Sequence, residues 1–212
     1  MKKVIFLLMA FAIVAGILAA QELSIISPTP KQIKMRFAER ESFLVMGLET
    51  KGNMDPGEYV DTWKNFFALK DKLPETVDNC IYGLYYPGEK FDPNSMQGHN
   101  YLVGMEVKKT VELPEGLKLV KAPGGYFAVF DHVGSVKNIG ETYEYIFGEW
   151  LATSGEVPLG SEMFERYDER FKEESAASVI EIWVPVHKME KIPTPVKKLV
   201  QEPTVEETPT EH

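Results

Sequence analysis

Residues 125–167, GYFAVFDHVGSVKNIGETYEYIFGEWLATSGEVPLGSEMFERY, decide the fold. The apolar run at 126–133 has strand length and is rich in aromatic and β-branched residues, which predicts a β-strand. Residues 136–154 then repeat apolar positions at three- and four-residue spacing until a glycine, which predicts an amphipathic helix. Residues 163–168 alternate again as a strand does, and this alternation places Glu165 on a face with aromatic neighbours.

The first half of the chain repeats this order of elements. It predicts a strand at 43–49, a helix at 55–73 and strands at 80–86 and 101–107, which correspond to 126–133, 136–154, 163–168 and 179–186 in the second half. Neither half alone buries both its helix and its sheet, so the two share one core. The sequence therefore predicts an α+β fold of duplicated β-α-β-β halves, with an antiparallel sheet and two long helices around a central cleft. Such a cleft suits a small molecule.

The ends of the chain differ in composition from the domain at 33–190. Residues 1–20 carry a basic start and an apolar run, which predicts an export signal cleaved after Ala20, with an uncleaved membrane tether through residues 4–20 as the alternative. Either places the domain in the periplasm or outside the cell. Residues 21–32 are predicted to be a linker. The Pro-, Glu- and Thr-rich residues 191–212 are predicted to be a disordered tail.

Composition excludes several classes of function. The formal net charge of -9 argues against nucleic acid, whose phosphates require clustered Lys and Arg. Cys80 is the single cysteine and lies in an apolar run, so we expect a buried packing residue and no disulfide. The four histidines form no pair at ligand spacing, so no metal site is predicted. His99 falls in a predicted loop at 87–100, where we expect it to be solvated.

Five short motifs in the second half resemble those of one family. They are a proline-glycine segment, a His-x-Gly at a strand end, a helix closing on Trp-Leu, a Glu-x-Tyr strand and a strand ending in Pro-Val, here Pro114–Gly116, His132–Gly134, Trp150–Leu151, Glu165–Tyr167 and Pro185–Val186. In this order the motifs resemble the GyrI-like domain, also called the AraC-type effector-binding domain. The resemblance covers roughly residues 33–188 and is weaker in the first half.

The resemblance implies a duplicated β-α-β-β unit of SHS2 type with a central cleft for hydrophobic, often cationic, small molecules. In drug-binding relatives an acidic residue on the Glu-x-Tyr strand lies at the base of an aromatic pocket, and the matching residue is Glu165. The family often forms the sensor half of transcription regulators. We expect this chain to lack the DNA-binding head, because the apolar leader stands where the head could have been.

Glu165 is the central candidate residue, and a set of aromatic residues is predicted to surround a bound molecule with it. That set is Trp183, Tyr167, Tyr143, Tyr101 and Tyr82. Strand alternation predicts that Trp183 shares the cleft with Glu165 and offers a cation-π surface. The structural alternative is an exposed Glu165 paired with Arg166 or Arg170, with Trp183 in the core.

Three functions stay open on the sequence. The first is binding of a hydrophobic, possibly cationic, small molecule. The second is hydrolysis of reactive cyclopropane-type compounds, as in some GyrI-like proteins, with Glu165 as the catalytic acid or base. The third is an interaction module without a ligand. No cofactor is predicted: haem-associated proteins of SOUL type share the duplicated architecture, but no histidine stands in an obvious axial setting.

Overall fold

The computed structural model describes residues 33–51, 56–73, 75–92, 97–108, 113–160, 162–173 and 175–188. The predicted leader, linker and tail (1–20, 21–32 and 191–212) lie outside the described residues. Within the described ranges, no helix has the length and apolar character needed to cross a membrane.

The described residues form one antiparallel sheet of eight strands and two helices. The strands are β1 (Lys34–Arg40), β2 (Phe43–Lys51), β3 (Thr76–Asp92), β4 (Gln97–Val107), β5 (Lys118–Ala122), β6 (Gly125–Val133), β7 (Met163–Tyr167) and β8 (Val179–Pro185). Helix α1 (Pro56–Phe67) joins β2 to β3. The second helix joins β6 to β7 and runs from α2 (Ile139–Glu144) through a π-helical segment (Tyr145–Trp150) into α3 (Leu151–Ser154).

The ends of the helices follow from local sequence chemistry. Pro56 fits the first helical position of α1, where a missing N–H costs nothing. The Ser135 hydroxyl accepts the Lys137 N–H at 3.3 Å ahead of the second helix. Gly155 ends that helix at a φ of 78°, a left-handed conformation that glycine adopts without steric cost. The two predicted helices are thus confirmed.

The strand order β1-β6-β8-β7-β3-β4-β2-β5 requires a strongly curved sheet. β1 and β2 are joined by Glu41 and Ser42 alone, although six strand spacings of about 4.8 Å separate them in the order. A two-residue link spans only about 10 Å. The rings of Phe43 on β2 and Phe164 on β7 accordingly meet at 5.4 Å between centroids. The sheet therefore curls until one of its faces packs on itself.

The two faces of the sheet carry different cores. The inner face packs without helices and includes Phe43, Tyr82, Phe127, Phe164 and Trp183. The helix face packs against α1 and the second helix and includes Tyr85, Tyr101, Tyr167, Ile180 and Ile182. Because side chains alternate along a strand, consecutive residues of β7 and β8 serve opposite cores.

Two edge-strand regions and one hairpin differ from the predictions. β1 and β5 were not predicted: β1 alternates charged and apolar residues weakly (KMRFAER), and β5 lies between the predicted strands at 101–107 and 126–133. The predicted loop at 87–100 is wrong for residues 87–92 and 97–100, because Pro87 pairs with His99 and Asp92 with Gln97. His99 is consequently buried in β4, 2% exposed, with its ring 4.5 Å from that of Phe91.

Candidate functional site

Glu165 lies in the middle of the sheet on its helix face. In β7 it is paired with Gly83 of β3 on one side and with Ile182 of β8 on the other. Its side chain is buried, with the residue only 3% exposed. A carboxyl group in such a position is costly unless hydrogen-bond donors or a positive charge meet it.

Four tyrosine hydroxyls, from four different elements, surround the Glu165 carboxyl group. Its Oε1 accepts from Tyr143 of α2 at 2.5 Å and, more weakly, from Tyr85 of β3 at 3.5 Å. Its Oε2 accepts from Tyr167 of β7 at 2.9 Å and from Tyr101 of β4 at 3.1 Å. We call these four residues the tyrosine cage. A carboxylate offers about four lone-pair positions, so four phenols can satisfy it completely.

Helix α1 adds two further aromatic residues behind the tyrosine cage. The Trp63 indole N–H donates to the Tyr101 hydroxyl at 3.0 Å, and the Trp63 ring meets that of Tyr167 at 4.6 Å in an edge-on arrangement. The Tyr59 ring lies edge-on to that of Tyr101, at 4.7 Å. Since Trp63 can only donate, the Tyr101 hydroxyl accepts there and keeps its own proton for Glu165.

The electrostatics of the cage come from burial without a counter-charge. Burial raises the pKa of Glu165, and the hydrogen bonds from Tyr143, Tyr167, Tyr101 and Tyr85 lower it only in part. Burial and then the nearby Glu165 charge raise the pKa values of all four cage tyrosines well above 10, so they are neutral donors. In the part of the chain that the structure describes, Glu165 makes no ion pair.

Glu181 shows what a counter-charge does for a carboxyl group of equally low solvent exposure. It too is 3% exposed, but on the inner face, where Arg36 at 2.8 Å and Arg170 at 2.7 Å reach it together with the Trp183 indole N–H at 3.0 Å. Burial alone would raise the pKa of Glu181; the hydrogen bonds from Arg170, Trp183 and Arg36 outweigh burial and lower it. Among the described residues, the lack of a positively charged partner therefore distinguishes Glu165 from Glu181.

The structure brings four of the six predicted site residues together and separates two from them. Glu165 lies with Tyr101, Tyr143 and Tyr167, as the hydrogen bonds show. Trp183 and Tyr82 lie on the inner face, which corrects the expectation that they share a cleft with Glu165. Glu165 is paired with Ile182, so the next residue, Trp183, points away from the helices. The Tyr82 hydroxyl instead accepts from Arg40 at 3.1 Å.

The exposed arrangement considered as an alternative for Glu165 is also absent from the structure. Arg166 and Arg170 pair with Asp168, at 2.8 Å and 2.7 Å, and both reach Glu181. Tyr85, Tyr59 and Trp63 also belong to the site, although the sequence pattern did not predict them there. The sequence feature that could have identified two of them is the aromatic stripe of α1, in which Tyr59 and Trp63 lie four residues apart and each bears a polar group.

Neither the cysteine nor the described histidines add chemistry to this site. Cys80 is buried on the inner face, where burial raises the pKa of its thiol to about 11. The His132 ring bonds to the Thr142 hydroxyl at 2.8 Å and to the Ser135 carbonyl at 3.0 Å, contacts that hold a turn. Among the described residues, no group of three or more His, Cys, Asp or Glu could hold a metal ion.

A curved antiparallel sheet with a carboxyl group in an aromatic cage combines an acidic group with flat apolar walls, a combination that suits a ligand-binding domain. The chain belongs to the GyrI-like family, whose description is a GyrI-like small molecule binding domain and whose sequence profile matches residues 33–187. The expected family membership is thereby confirmed.

The relatives of the chain include a transcription regulator and several solved domains. The transcriptional regulator BrlR of Pseudomonas aeruginosa is 28% identical over 162 residues, which are 74% of this chain and 57% of BrlR; the chain thus spans little more than half of that relative. Among structures, SAV2435 bound to tetraphenylphosphonium matches with a TM-score of 0.59 at 15% identity, over 73% of this chain and 94% of that one. An integron cassette protein of Vibrio cholerae matches with a TM-score of 0.55 at 17% identity, over 74% and 100%. These structures share the fold.

Proposed function

We propose that this protein binds lipophilic organic cations, with Glu165 as the charge partner and the aromatic residues around it as the walls of the site. The observation that carries the proposal is a buried carboxyl group that receives four phenol hydrogen bonds and, within the described residues, no positive charge. A cation that enters the cage supplies this charge and avoids the cost of an isolated buried anion.

The aromatic rings favour the same class of ligand. Tyr59 and Trp63 pack against Tyr101, whose hydroxyl donates to the carboxyl group, and a cation over such a ring is stabilised by about 0.5–2 kcal/mol. SAV2435, a protein of similar fold, has a structure bound to tetraphenylphosphonium, a lipophilic cation. This precedent supports the choice of tetraphenylphosphonium as a probe.

The geometry favours binding over hydrolysis with Glu165 as a general base. A general base must hold a water, but both Glu165 oxygens already accept from tyrosines, with Tyr143 at 2.5 Å and Tyr167 at 2.9 Å. A reacting water would have to displace one of these hydroxyls. Recovery of the ligand unchanged after incubation, measured by mass spectrometry, distinguishes a binding protein from a hydrolase.

The test is a titration of the full chain with tetraphenylphosphonium and with neutral triphenylphosphine oxide, followed by tryptophan fluorescence and calorimetry. Wild type should bind the cation saturably. Glu165→Gln should bind the cation at least about tenfold more weakly, since the charge partner is lost, and should bind the neutral ligand nearly unchanged.

Glu49→Gln is the matched control. The Glu49 carboxyl group also accepts a tyrosine hydroxyl, from Tyr86 at 2.7 Å, but it pairs with Leu102 and so lies on the other face from Tyr101. This variant should bind the cation as wild type does. Equal cation affinity in wild type and Glu165→Gln would refute the proposed site.

We also propose that the chain is exported. The apolar run at 4–20 after a basic start supports export, and the negative net charge agrees with a role away from nucleic acid. Mass spectrometry of the protein recovered from the periplasm or medium should give Gln21 as its first residue. An intact Met1 on protein in the membrane fraction would indicate the uncleaved tether, and recovery from the cytoplasm would contradict export.

We further infer that the two halves of the domain arose by duplication. The sheet contains β2, β4 and β3 side by side, and β6, β8 and β7 in the corresponding order, joined through β3 and β7. In chain order, the helix of each set lies between its first two strands, β2 and β3 in one set and β6 and β7 in the other. An alignment of many relatives in which the halves 43–107 and 125–186 resemble each other no better than unrelated segments would count against this inference.

A further inference from the structure

We propose that a cation bound at Glu165 is exchanged for a proton, so that ligand binding releases about one proton from the empty site and becomes weaker as the pH falls. This inference rests on the proposed function, because it concerns the same carboxyl group. It adds a property that cation binding alone does not require: the empty site holds its own small cation, a proton, until the ligand replaces it.

Every element packed against Glu165 offers it a neutral group. β3 contributes Tyr85, β4 contributes Tyr101, the second helix contributes Tyr143 and β7 contributes Tyr167, while Ile182 is the partner on β8. Helix α1 contributes Tyr59, whose pKa is raised to about 12 by burial and then by Glu165 and Glu58. None of these groups carries a positive charge at neutral pH, so an ionised Glu165 leaves the empty site with an uncompensated charge.

The hydrogen bonds can accommodate both protonation states without loss of the fold. In the ionised state, the four phenols donate to the four lone-pair positions of the carboxylate. In the protonated state, the acid O–H donates to one phenol oxygen, and that phenol turns its own proton aside.

The ligand changes the balance between these two states. A permanent cation beside Glu165 stabilises the ionised form, so the carboxyl group releases its proton to the solvent as the cation enters. The charge of the occupied site is then the same as that of the empty protonated site. By linkage, affinity falls about tenfold for each pH unit below the pKa of the empty site and is constant above it. Burial, which raises the pKa of Glu165, moves this dependence towards neutral pH.

The experiment is calorimetry of the full chain with tetraphenylphosphonium, which has no titratable group, between pH 5 and pH 8.5. Each pH is measured in two buffers with different ionisation enthalpies, which counts the protons released. We expect close to one proton per bound cation at the acidic end, falling to none at the alkaline end, and an affinity that weakens about tenfold per pH unit at the acidic end. Triphenylphosphine oxide should release no proton.

Variants separate this inference from the proposed function. Glu165→Gln should remove both proton release and pH dependence, while Glu49→Gln should keep both. Cation binding that weakens in Glu165→Gln but shows no proton release and a flat affinity from pH 5 to pH 8.5 would overturn the exchange and leave the proposed function intact. Cation affinity that is unchanged in Glu165→Gln would overturn both.

A direct measurement does not depend on any variant. The carboxyl carbon of Glu165, labelled with ¹³C, is followed by NMR through the same pH range with and without tetraphenylphosphonium. The titration midpoint of the free protein should move to lower pH by at least about one unit when the ligand is saturating. Coincident titration curves would overturn the exchange.

Discussion

Gly83 of β3 lies directly opposite Glu165 of β7, and the carboxyl group occupies the space that a side chain on Gly83 would fill. A Cβ atom at this position would stand 2.8 Å from Oε2 of Glu165 and would overlap the hydroxyl group of Tyr101. The absence of one side chain thus makes room for a buried acid and for the phenol that binds it. The site depends on this glycine as much as on its polar residues.

Gly83→Ala should lower the free energy of unfolding by about 1–3 kcal/mol, because the added methyl group overpacks a buried site. It should also weaken tetraphenylphosphonium binding, since Tyr101 and Glu165 must move apart. Gly148→Ala is the control: a Cβ there meets no atom within 4 Å, and alanine favours a helix by up to about 1 kcal/mol. For each variant, chemical denaturation measures the free energy of unfolding, and titration with tetraphenylphosphonium measures binding. If Gly83→Ala binds tetraphenylphosphonium as tightly as wild type, the position of the Glu165 carboxyl group is not critical for binding.

The pH dependence of stability should reveal the buried acid in the ligand-free protein. Because burial raises the pKa of Glu165, the folded chain binds more protons than the unfolded chain between the ordinary glutamate value, about 4.3, and the raised one. The Glu165 contribution to stability therefore decreases as the pH rises through this window. Urea denaturation from pH 4.5 to pH 8 should show Glu165→Gln gaining stability relative to wild type as the pH rises. A constant difference would contradict the raised pKa.

Glu181→Gln should show the opposite trend. The pKa of Glu181 is lowered because Arg170, Trp183 and Arg36 outweigh its burial, so its ionised form stabilises the fold above the ordinary glutamate pKa. This contribution is lost as the pH falls through that value towards the lowered one. The variant should be less stable than wild type by about 1–3 kcal/mol at pH 7 and less affected near pH 4. Together the two variants compare two equally exposed glutamates with opposite pKa shifts.

The sequence predicted the parts of the fold that depend on local periodicity. Both helices and the strands around 126–133 and 163–168 follow from three- and two-residue spacing and from helix-end residues such as Gly155. The position of Glu165 in an aromatic pocket was implied by the family resemblance, since spacing alone left an exposed Glu165 open. The edge strand β1 was missed because it pairs only with β6 along one side and leaves much of its surface polar. A strand of this kind carries little of the apolar alternation that marks buried strands.

The face on which Trp183 lies could not be predicted because it depends on register between strands. Alternation fixes which residues of β8 share a face, but not which residue of β7 stands opposite them. A shift by one residue would place Trp183, and not Ile182, beside Glu165. Tyr85 was missed for a similar reason: sequence analysis favoured Tyr82, which alternation puts on the other face of β3.

The cage tyrosines should differ in their effect on the charge of Glu165. Tyr143 donates to Oε1 at 2.5 Å, whereas Tyr85 reaches the same oxygen at 3.5 Å, a distance at which a hydrogen bond is weak. Tyr143→Phe should therefore raise the pKa of Glu165 further and weaken cation binding at pH 7, because a hydrogen bond to a charged group contributes about 1.5–3 kcal/mol. Tyr85→Phe likewise removes only a hydroxyl group, and it should change the pKa of Glu165 and the cation affinity much less. The pKa is measured by ¹³C NMR of Glu165 and the affinity by calorimetry. Equal effects of the two variants would mean that Tyr143 has no special part in holding the carboxylate, and the short contact would then be a matter of packing alone.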